Sequence, residues 1–215
     1  MVYSRVKRIM DFFLSAIGLI VLSPLFLILI VVIKIDSRGP VLFNQNRIGI
    51  HKTHFNILKF RTMQMDTPKD TPTHLLHNPE KYITRVGKFL RKTSLDELPQ
   101  IWNILVGQMS IVGPRPALWN QYDLITERDK YGANDVRPGL TGWAQINGRD
   151  ELSIESKARL DGEYIKRMCF YMDVKFFFGT FVSVLKHDGV IEGRTGAQKK
   201  QTTKEVGIQQ ETNSK

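Results

Sequence analysis

The chain has 215 residues and a mass of 24.8 kDa, room for one domain of ordinary size with an appendage, because single hydrophobic cores rarely grow past about 250–300 residues. Its 42% hydrophobic and 24% charged content excludes a wholly disordered, collagenous or low-complexity chain. One cysteine, Cys169, excludes an intramolecular disulfide and suits a reducing compartment, and no Cys/His spacing of the zinc-site type occurs.

A mean hydropathy of −0.21 conceals a segregated chain. The 22 residues from Phe12 to Ile33 carry no charge. As a straight α-helix they would be about 33 Å long, enough for a hydrocarbon core of about 30 Å. The sequence therefore predicts a membrane-bound protein. A cleaved leader is the competing reading, since Arg5, Lys7 and Arg8 precede the run, but Lys34, Asp36 and Arg38 stand where small residues would mark a cleavage site.

Cations flank both ends of this run, so the bias that keeps lysine and arginine cytoplasmic places both ends on one side. Ser23-Pro24 falls at its middle, where proline removes a backbone N–H and bends a helix. A re-entrant helix kinked at Ser23-Pro24 reconciles the two facts, with Ser23 serving carbonyls that the proline frees. An ordinary spanning helix with a tolerated proline is the alternative these features leave open.

The net charge is +10, and the C-terminal tail does not explain it: residues 197–215 hold four lysines against two glutamates, so +8 remains elsewhere. Such a balance suits an anionic membrane surface or phosphorylated substrates. Nucleic acid is not expected, because no reader motif accompanies the charge.

Beyond the anchor, Val41 to Met63 alternates apolar and polar residues around Ile48-Gly49-Ile50-His51-Lys52, the pattern of a β-hairpin whose second strand ends at Lys59-Phe60-Arg61. Asp66 to Pro79 lacks a period and reads as a loop. His51, His54 and His74 lack the spacing and carboxylate company of a metal site. Ile83 to Leu90 has helical apolar intervals with Arg85, Lys88, Arg91 and Lys92 on another side, predicting a short basic helix. Ser94-x-x-Glu97 then has the form of a capping box that opens a second helix, with Asp96 and Glu97 in its first turn and Pro99 complicating the register.

Acidic residues in a first turn ordinarily do no more than stabilise a helix by about 0.3–1 kcal/mol. Here four cations precede the pair, and Gly113-Pro114-Arg115-Pro116 and a loop from Arg137 through Gln145 to Arg149 follow it. Glycines and prolines make stiff, tight loops that hold arginines at small entropic cost, and guanidinium forks match phosphate oxygens. Their joint occurrence points to a phosphate site. Further on, Asp161 to Tyr171 predicts an amphipathic helix. Val174 to Leu185, with four phenylalanines between Lys175 and Lys186, is too short to span a bilayer and reads as an interfacial helix or a core helix.

Ser23-Pro24 in an N-terminal apolar helix, Lys59-Phe60-Arg61-Thr62-Met63, Arg91-Lys92-Thr93-Ser94-Leu95-Asp96-Glu97-Leu98-Pro99-Gln100, Gly113-Pro114-Arg115-Pro116 and the Arg137–Arg149 loop together resemble the bacterial sugar transferase family, the monotopic polyprenyl-phosphate phosphoglycosyl transferases, in their minimal catalytic form. The resemblance covers residues 2–193. It implies an α/β fold, mostly helical with a small hairpin or sheet, divided into a re-entrant membrane hairpin over 1–38, a catalytic domain over 39–193 on the cytoplasmic face of the bacterial inner membrane, and a polar tail over 194–215.

It further implies transfer of a sugar 1-phosphate from a UDP-sugar to undecaprenyl phosphate in capsule, exopolysaccharide or glycoconjugate assembly. Asp96 is then the nucleophile that forms a covalent phosphosugar, and Glu97 belongs to a Mg²⁺ site. Arg91 lies near the nucleophile, and Arg115, between Pro114 and Pro116, holds the nucleotide diphosphate. Arg137, Gln145 and Arg149 are substrate-binding candidates, with Gln145 and Arg149 on the nucleotide or sugar side. Lys59 and Arg61 serve phosphate or lipid headgroup. Anionic lipids are expected partners, and a homo-oligomer is compatible. Two rivals stand beside this reading: a non-catalytic membrane scaffold that binds anionic lipids or assembly partners, and a phospholipid phosphatase.

Overall fold

The computed structural model describes residues 2–67, 79–148 and 152–186. Arg149, His74, most of the predicted 66–79 loop and the C-terminal tail lie outside the described residues. The chain begins with a 35-residue helix, α1 (Val2–Asp36). The hairpin follows as β1 (Leu42–Ile48) and β2 (His54–Phe60), antiparallel from Leu42↔Phe60 to Ile48↔His54. Helices α2 (Arg85–Thr93) and α3 (Gln100–Leu105) come next, then β3 (Ser110–Val112), α4 (Tyr122–Asp129), β4 (Gly139–Thr141) and the short α5 (Trp143–Ile146). Helices α6 (Ile154–Lys166) and α7 (Phe170–Lys186) complete the described chain. The fold is mostly helical with a small sheet component, as the sequence predicts.

α1 is the only described helix long and apolar enough to cross a membrane. Its helical backbone continues through Pro24. Proline at 24 deprives the Ile20 carbonyl of its usual i+4 donor, and the Ser23 hydroxyl donates to that same oxygen at 2.7 Å, the service predicted for it. Around this point the side chains are bare: Ile20 is 74% exposed and Val21 68%. Both ends of the helix, by contrast, are docked on the rest of the chain. Asp11 and Ser15 are buried near one end, Leu29 and Ile33 near the other. An apolar band flanked by two docked ends is a surface that lipid would cover.

The predicted hairpin and the basic helix are both present. Thr84 caps α2, its side chain accepting from the Gly87 N–H at 2.9 Å, while the Asp36 carboxylate at the end of α1 accepts from Val86 N at 3.1 Å. A carboxylate suits a helix N-terminus because the first N–H groups lack intrahelical partners. Beneath this junction Leu29, Ile33, Phe60 and Leu90 form a core against which Leu95 and Leu98 pack. Full burial of a leucine contributes about 1.5–3 kcal/mol, so this cluster fixes the segment from 95 to 98 on the end of α1.

The capping box predicted at Ser94 does not form. Ser94 is instead the C-cap of α2, in the left-handed region at φ 56°, and makes no side-chain cap bond. Residues Leu95–Glu97 form a separate 3₁₀ turn, and α3 starts only at Gln100, after Pro99. The Glu97 side chain has stronger partners than a backbone N–H, namely two cations described below. The predicted Asp161–Tyr171 helix is likewise divided: α6 ends at Lys166 and α7 begins at Phe170. The core-helix reading of the phenylalanine segment holds for one face, where Phe176 is wholly buried against Tyr164 and Val112, while Phe177 and Phe178 are exposed on another.

The parallel pair β3–β4, joined at Ser110↔Gly139 and Val112↔Thr141, was not foreseen. It brings the two glycine- and proline-rich loops together. A Cβ on Gly139 would stand 2.1 Å from Gly113 N, and one on Gly142 2.1 Å from Gly113 O. Only glycine permits backbones to approach this closely.

Candidate active site

The 3₁₀ turn presents Asp96 and Glu97 half-buried between β2 and the Gly113–Pro116 loop. Lys59, from the last turn of pairing in β2, donates to Glu97 Oε1 at 2.8 Å. Arg115 Nη2 donates to the same oxygen at 2.6 Å, and its Nη1 lies 3.5 Å from Oε2. These partners lie 38 and 18 residues away in sequence, so a local capping motif is replaced by a tertiary one.

The Gly113–Pro116 loop has the form predicted for it. Gly113, Pro114 and Pro116 are buried, and Arg115 between them projects with 45% of its side chain exposed. The loop is gripped on both sides: Gly113 N donates to Thr141 O and Gly139 N to Pro114 O, both at 2.8 Å, while Arg47 Nη1 donates to Pro116 O at 3.1 Å. Little rotameric freedom is left to lose when an anion arrives.

Burial pushes the Asp96 carboxyl up to about 6; Lys59 opposes this, the neighbouring Glu97 charge reinforces it, and Arg91 and Arg115 oppose it again. Burial also raises Glu97, but Arg115 and Lys59 outweigh it and hold this carboxyl well below the usual range. One member of the pair is therefore a committed anion tied to cations, and the other is pushed by burial towards its protonated form. Three cations, Lys59, Arg91 and Arg115, act on Asp96. Together they would offset the repulsion between a carboxylate and an incoming diphosphate.

The other predicted residues fall into two groups. Gln145 is 5% exposed, and neither its amide nitrogen nor its amide oxygen has a hydrogen-bond partner among the described residues. Its Oε1 sits 2.7 Å from where a Cβ on Gly142 would stand, beside the loop junction. A buried amide without partners is costly unless something else completes it. Arg61 and Arg137 have structural occupations. Arg61 is 5% exposed and donates to the Ser37 and Arg38 carbonyls at 2.7 Å each and to the Ser37 hydroxyl at 2.9 Å, closing the exit of α1. Arg137 Nε donates to Gly107 O at 2.9 Å, behind α3. The structure brings Lys59, Arg91 and Arg115 to the acidic pair but directs Arg61 and Arg137 elsewhere.

The donor set for a divalent cation is two adjacent carboxylates. No cluster of three or more metal-ligating side chains exists among the described residues. Hard oxygens from one or two carboxylates, completed by substrate phosphate and water, are the usual setting for Mg²⁺, so Asp96 and Glu97 fit that ion.

A largely apolar cavity of about 520 Å³ lies between the first half of α1, α3 and α7, walled by residues such as Leu14, Ile101, Ile104, Val174 and Phe177. Sequence reasoning missed the polar residues at its edge, Tyr3, Lys7, Asp11 and Asp173. The available signal was modest: Asp11 is the last charge before the uncharged run, and Asp173 stands within an aromatic segment.

Comparison with known proteins gives a consistent picture. The family model described as bacterial sugar transferase matches residues 2–187. The chain is 40% identical over 184 residues to the uncharacterized sugar transferase EpsL of Bacillus subtilis (strain 168), covering 86% of this chain and 89% of that one. It is 40% identical over 186 residues to the UDP-glucose:undecaprenyl-phosphate glucose-1-phosphate transferase of Xanthomonas campestris pv. campestris, 83% of this chain and 38% of the relative. It is 37% identical over 190 residues to the UDP-N-acetylgalactosamine-undecaprenyl-phosphate N-acetylgalactosaminephosphotransferase of Aeromonas hydrophila, 86% of this chain and 44% of the relative. The chain thus spans less than half of the two relatives named for a particular sugar, and about nine-tenths of EpsL. On this evidence, the chain belongs to the bacterial sugar transferase family.

Proposed function

We propose that the protein is a polyprenyl-phosphate glycosyl-1-phosphate transferase that moves a sugar 1-phosphate from a UDP-sugar to undecaprenyl phosphate through a covalent intermediate on Asp96. The observation that carries this reading is the division of labour within the acidic pair: Glu97 is tied to Lys59 and Arg115, while Asp96 is flanked by cations yet titrates near 6. An ionised Asp96 oxygen attacks the phosphorus that bears the sugar, and the bond from that phosphorus to the UMP oxygen breaks. UMP leaves with the bond's electron pair. An oxygen of the polyprenyl phosphate then attacks the same phosphorus, the aspartyl oxygen departs, and the carboxylate is regenerated with a polyprenyl diphosphate sugar as product.

Each residue has a definite task in this scheme. Arg115, held on its rigid loop, pairs with diphosphate oxygens as a fork. Lys59 and Arg91 offset the charge that Asp96 meets. Gln145 offers its unpartnered amide to the nucleotide or sugar. Glu97, with substrate phosphate oxygens, would hold Mg²⁺, which when bound supplies charge neutralisation at the diphosphate. The apolar cavity beside α3 provides walls compatible with a lipid acceptor chain.

Placement follows from the anchor. With both ends docked on one body, α1 is suited to enter and leave the bilayer on the same face, and the exposed aromatic face of α7 suits the interface. We place the catalytic domain on the cytoplasmic face of the inner membrane, where nucleotide sugars are available, with surface-polysaccharide or glycoconjugate assembly as the outlet. Incubation with UDP-glucose and UDP-N-acetylgalactosamine, radiolabelled in the sugar and without acceptor, tests the scheme. Label should stay on the protein, leave it when undecaprenyl phosphate is added, and be absent from Asp96→Asn. A scaffold or a phosphatase would retain no sugar label.

A further inference from the structure

The strand that carries Arg115 towards Glu97 is only three residues long and has one strand partner. Ser110 N donates to Pro138 O at 2.9 Å and Gly113 N to Thr141 O at 2.8 Å, so these groups face β4. The N–H of Ile111, between them, faces away. It is met by Asp11 Oδ1 of α1 at 3.2 Å, while Asp11 Oδ2 accepts from the Ser110 hydroxyl at 2.7 Å. Asp11 is 4% exposed. A carboxylate from the membrane helix thus performs, for the outer edge of β3, the service of a third strand.

Other bonds fix the helix against this edge. Tyr3 donates to Asp173 Oδ2 of α7 at 2.7 Å, and the Lys7 ammonium pairs with the same oxygen. Tyr164 of α6 donates to Asp173 Oδ1 at 2.7 Å, with the Val112 carbonyl 3.3 Å from its hydroxyl. Arg8 donates to the Ile104 and Leu105 carbonyls at 2.7 and 2.8 Å, closing the end of α3. β3 leads directly into Gly113-Pro114-Arg115, and α3 follows directly from the turn that bears Asp96 and Glu97. The head of α1 therefore braces both arms of the site from behind. The cations Lys7 and Arg8, which the sequence offers as a topological signal, are engaged with protein groups.

We propose that Asp11 is a positioning residue: through Ser110 and Ile111 it sets where Arg115 stands, so that docking of the first turns of α1 is part of the active-site geometry as well as of membrane attachment. This rests on the reading that Arg115 holds the donor diphosphate. The test is a double-mutant cycle on the full-length protein in lipid nanodiscs, with UDP as the probe, Mg²⁺ present and affinity measured by calorimetry. Ser110→Ala removes the bond without altering the membrane helix. It is expected to weaken UDP binding by about three- to tenfold, the size of one hydrogen bond's effect, and to have no effect in an Arg115→Ala background. Asp11→Ala and the Asp11→Ala/Ser110→Ala pair should weaken binding equally, because Asp11→Ala already removes the bond that Ser110→Ala breaks, together with the one to Ile111 N.

Equal weakening by Ser110→Ala with and without Arg115 would mean a general loss of fold and would overturn the proposal, as would unchanged affinity in both single variants. If the wild-type protein does not bind UDP, or Arg115→Ala binds it as well as wild type, the donor-site reading fails and this inference fails with it.

Discussion

Asp96 and Glu97 are adjacent in the chain, yet the fold drives their acidities apart: burial carries Asp96 up to about 6, whereas Arg115 and Lys59 outweigh burial and hold Glu97 well below the ordinary carboxylate range. Two like groups placed in unlike surroundings take unlike roles. Here Glu97 is tied down by its partners, and Asp96 is the member left to serve as the reactive group in the proposed scheme.

The pH dependence follows. A protonated carboxyl is no nucleophile, so labelling of the protein by a UDP-sugar without acceptor is expected to fall as pH drops through about 6, approaching tenfold per unit below it. Rapid-quench labelling across pH 4.5–8 checks this. A rate that stays level down to pH 4.5 would count against Asp96 as the attacking group.

The same shift has a consequence for stability. Asp96 is raised above its unfolded value, so its ionised form opposes folding at neutral pH, and protonation relieves this as pH falls through about 6. Glu97, lowered, contributes stability above its unfolded value that is lost as pH falls through its depressed folded value. Asp96→Asn should therefore melt at or above the wild-type temperature at pH 7, with the gap narrowing towards pH 5, while losing all covalent label. Thermal melts at the two pH values decide it.

Lys59 and Arg115 share one oxygen of Glu97, with Lys59 and Glu97 each 18% exposed. Lys59→Met leaves the carboxylate half-served and is expected to cost roughly 1–3 kcal/mol of stability. Lys59→Met combined with Glu97→Gln should recover much of that in denaturant melts while remaining inactive, because the charge needed at the site is gone.

Arg61→Ala should separate structure from binding. Its three donated bonds all go to Ser37 and Arg38 at the exit of α1, so the variant is expected to lose roughly 2–3 kcal/mol, in line with bonds from a charged donor. UDP affinity measured by calorimetry below the melting temperature should stay within about twofold of wild type. A tenfold loss of affinity would restore to Arg61 the phosphate role that the sequence suggested.

Removal of divalent cations with EDTA should stop labelling, and Mg²⁺ should restore it. With a donor set limited to the acidic pair among the described residues, Glu97→Gln is expected to raise the Mg²⁺ concentration for half-maximal rate by about tenfold or more. Titration of labelling rate against Mg²⁺ measures this.

The features legible in the sequence are those written in short-range pattern. A run of 22 uncharged residues, an apolar–polar alternation from Val41 to Met63 and a helical period after Ile83 each declare a local structure, because burial selects residue type at fixed spacing. Ser23 beside Pro24 likewise declares its own repair, since the freed carbonyl of Ile20 lies on the preceding turn. The acidic pair and the stiff arginine loop were legible as candidates for the same reason.

What the sequence by itself determined is therefore the inventory: a long apolar helix, a hairpin, a basic helix, an acidic pair and rigid arginine loops. Tertiary structure alone decided which cations meet which carboxylates. Arg61 and Arg115 look alike as arginines in conspicuous motifs, but one closes the end of α1 and the other reaches Glu97. Ser94 reads as a helix cap, yet Glu97 is taken by Lys59 and Arg115 from 38 and 18 residues away. Asp11, about 100 residues from β3, completes the edge of that strand. Such pairings depend on where the chain returns in space, and charge attraction and hydrogen-bond satisfaction carry no sequence period by which to announce themselves.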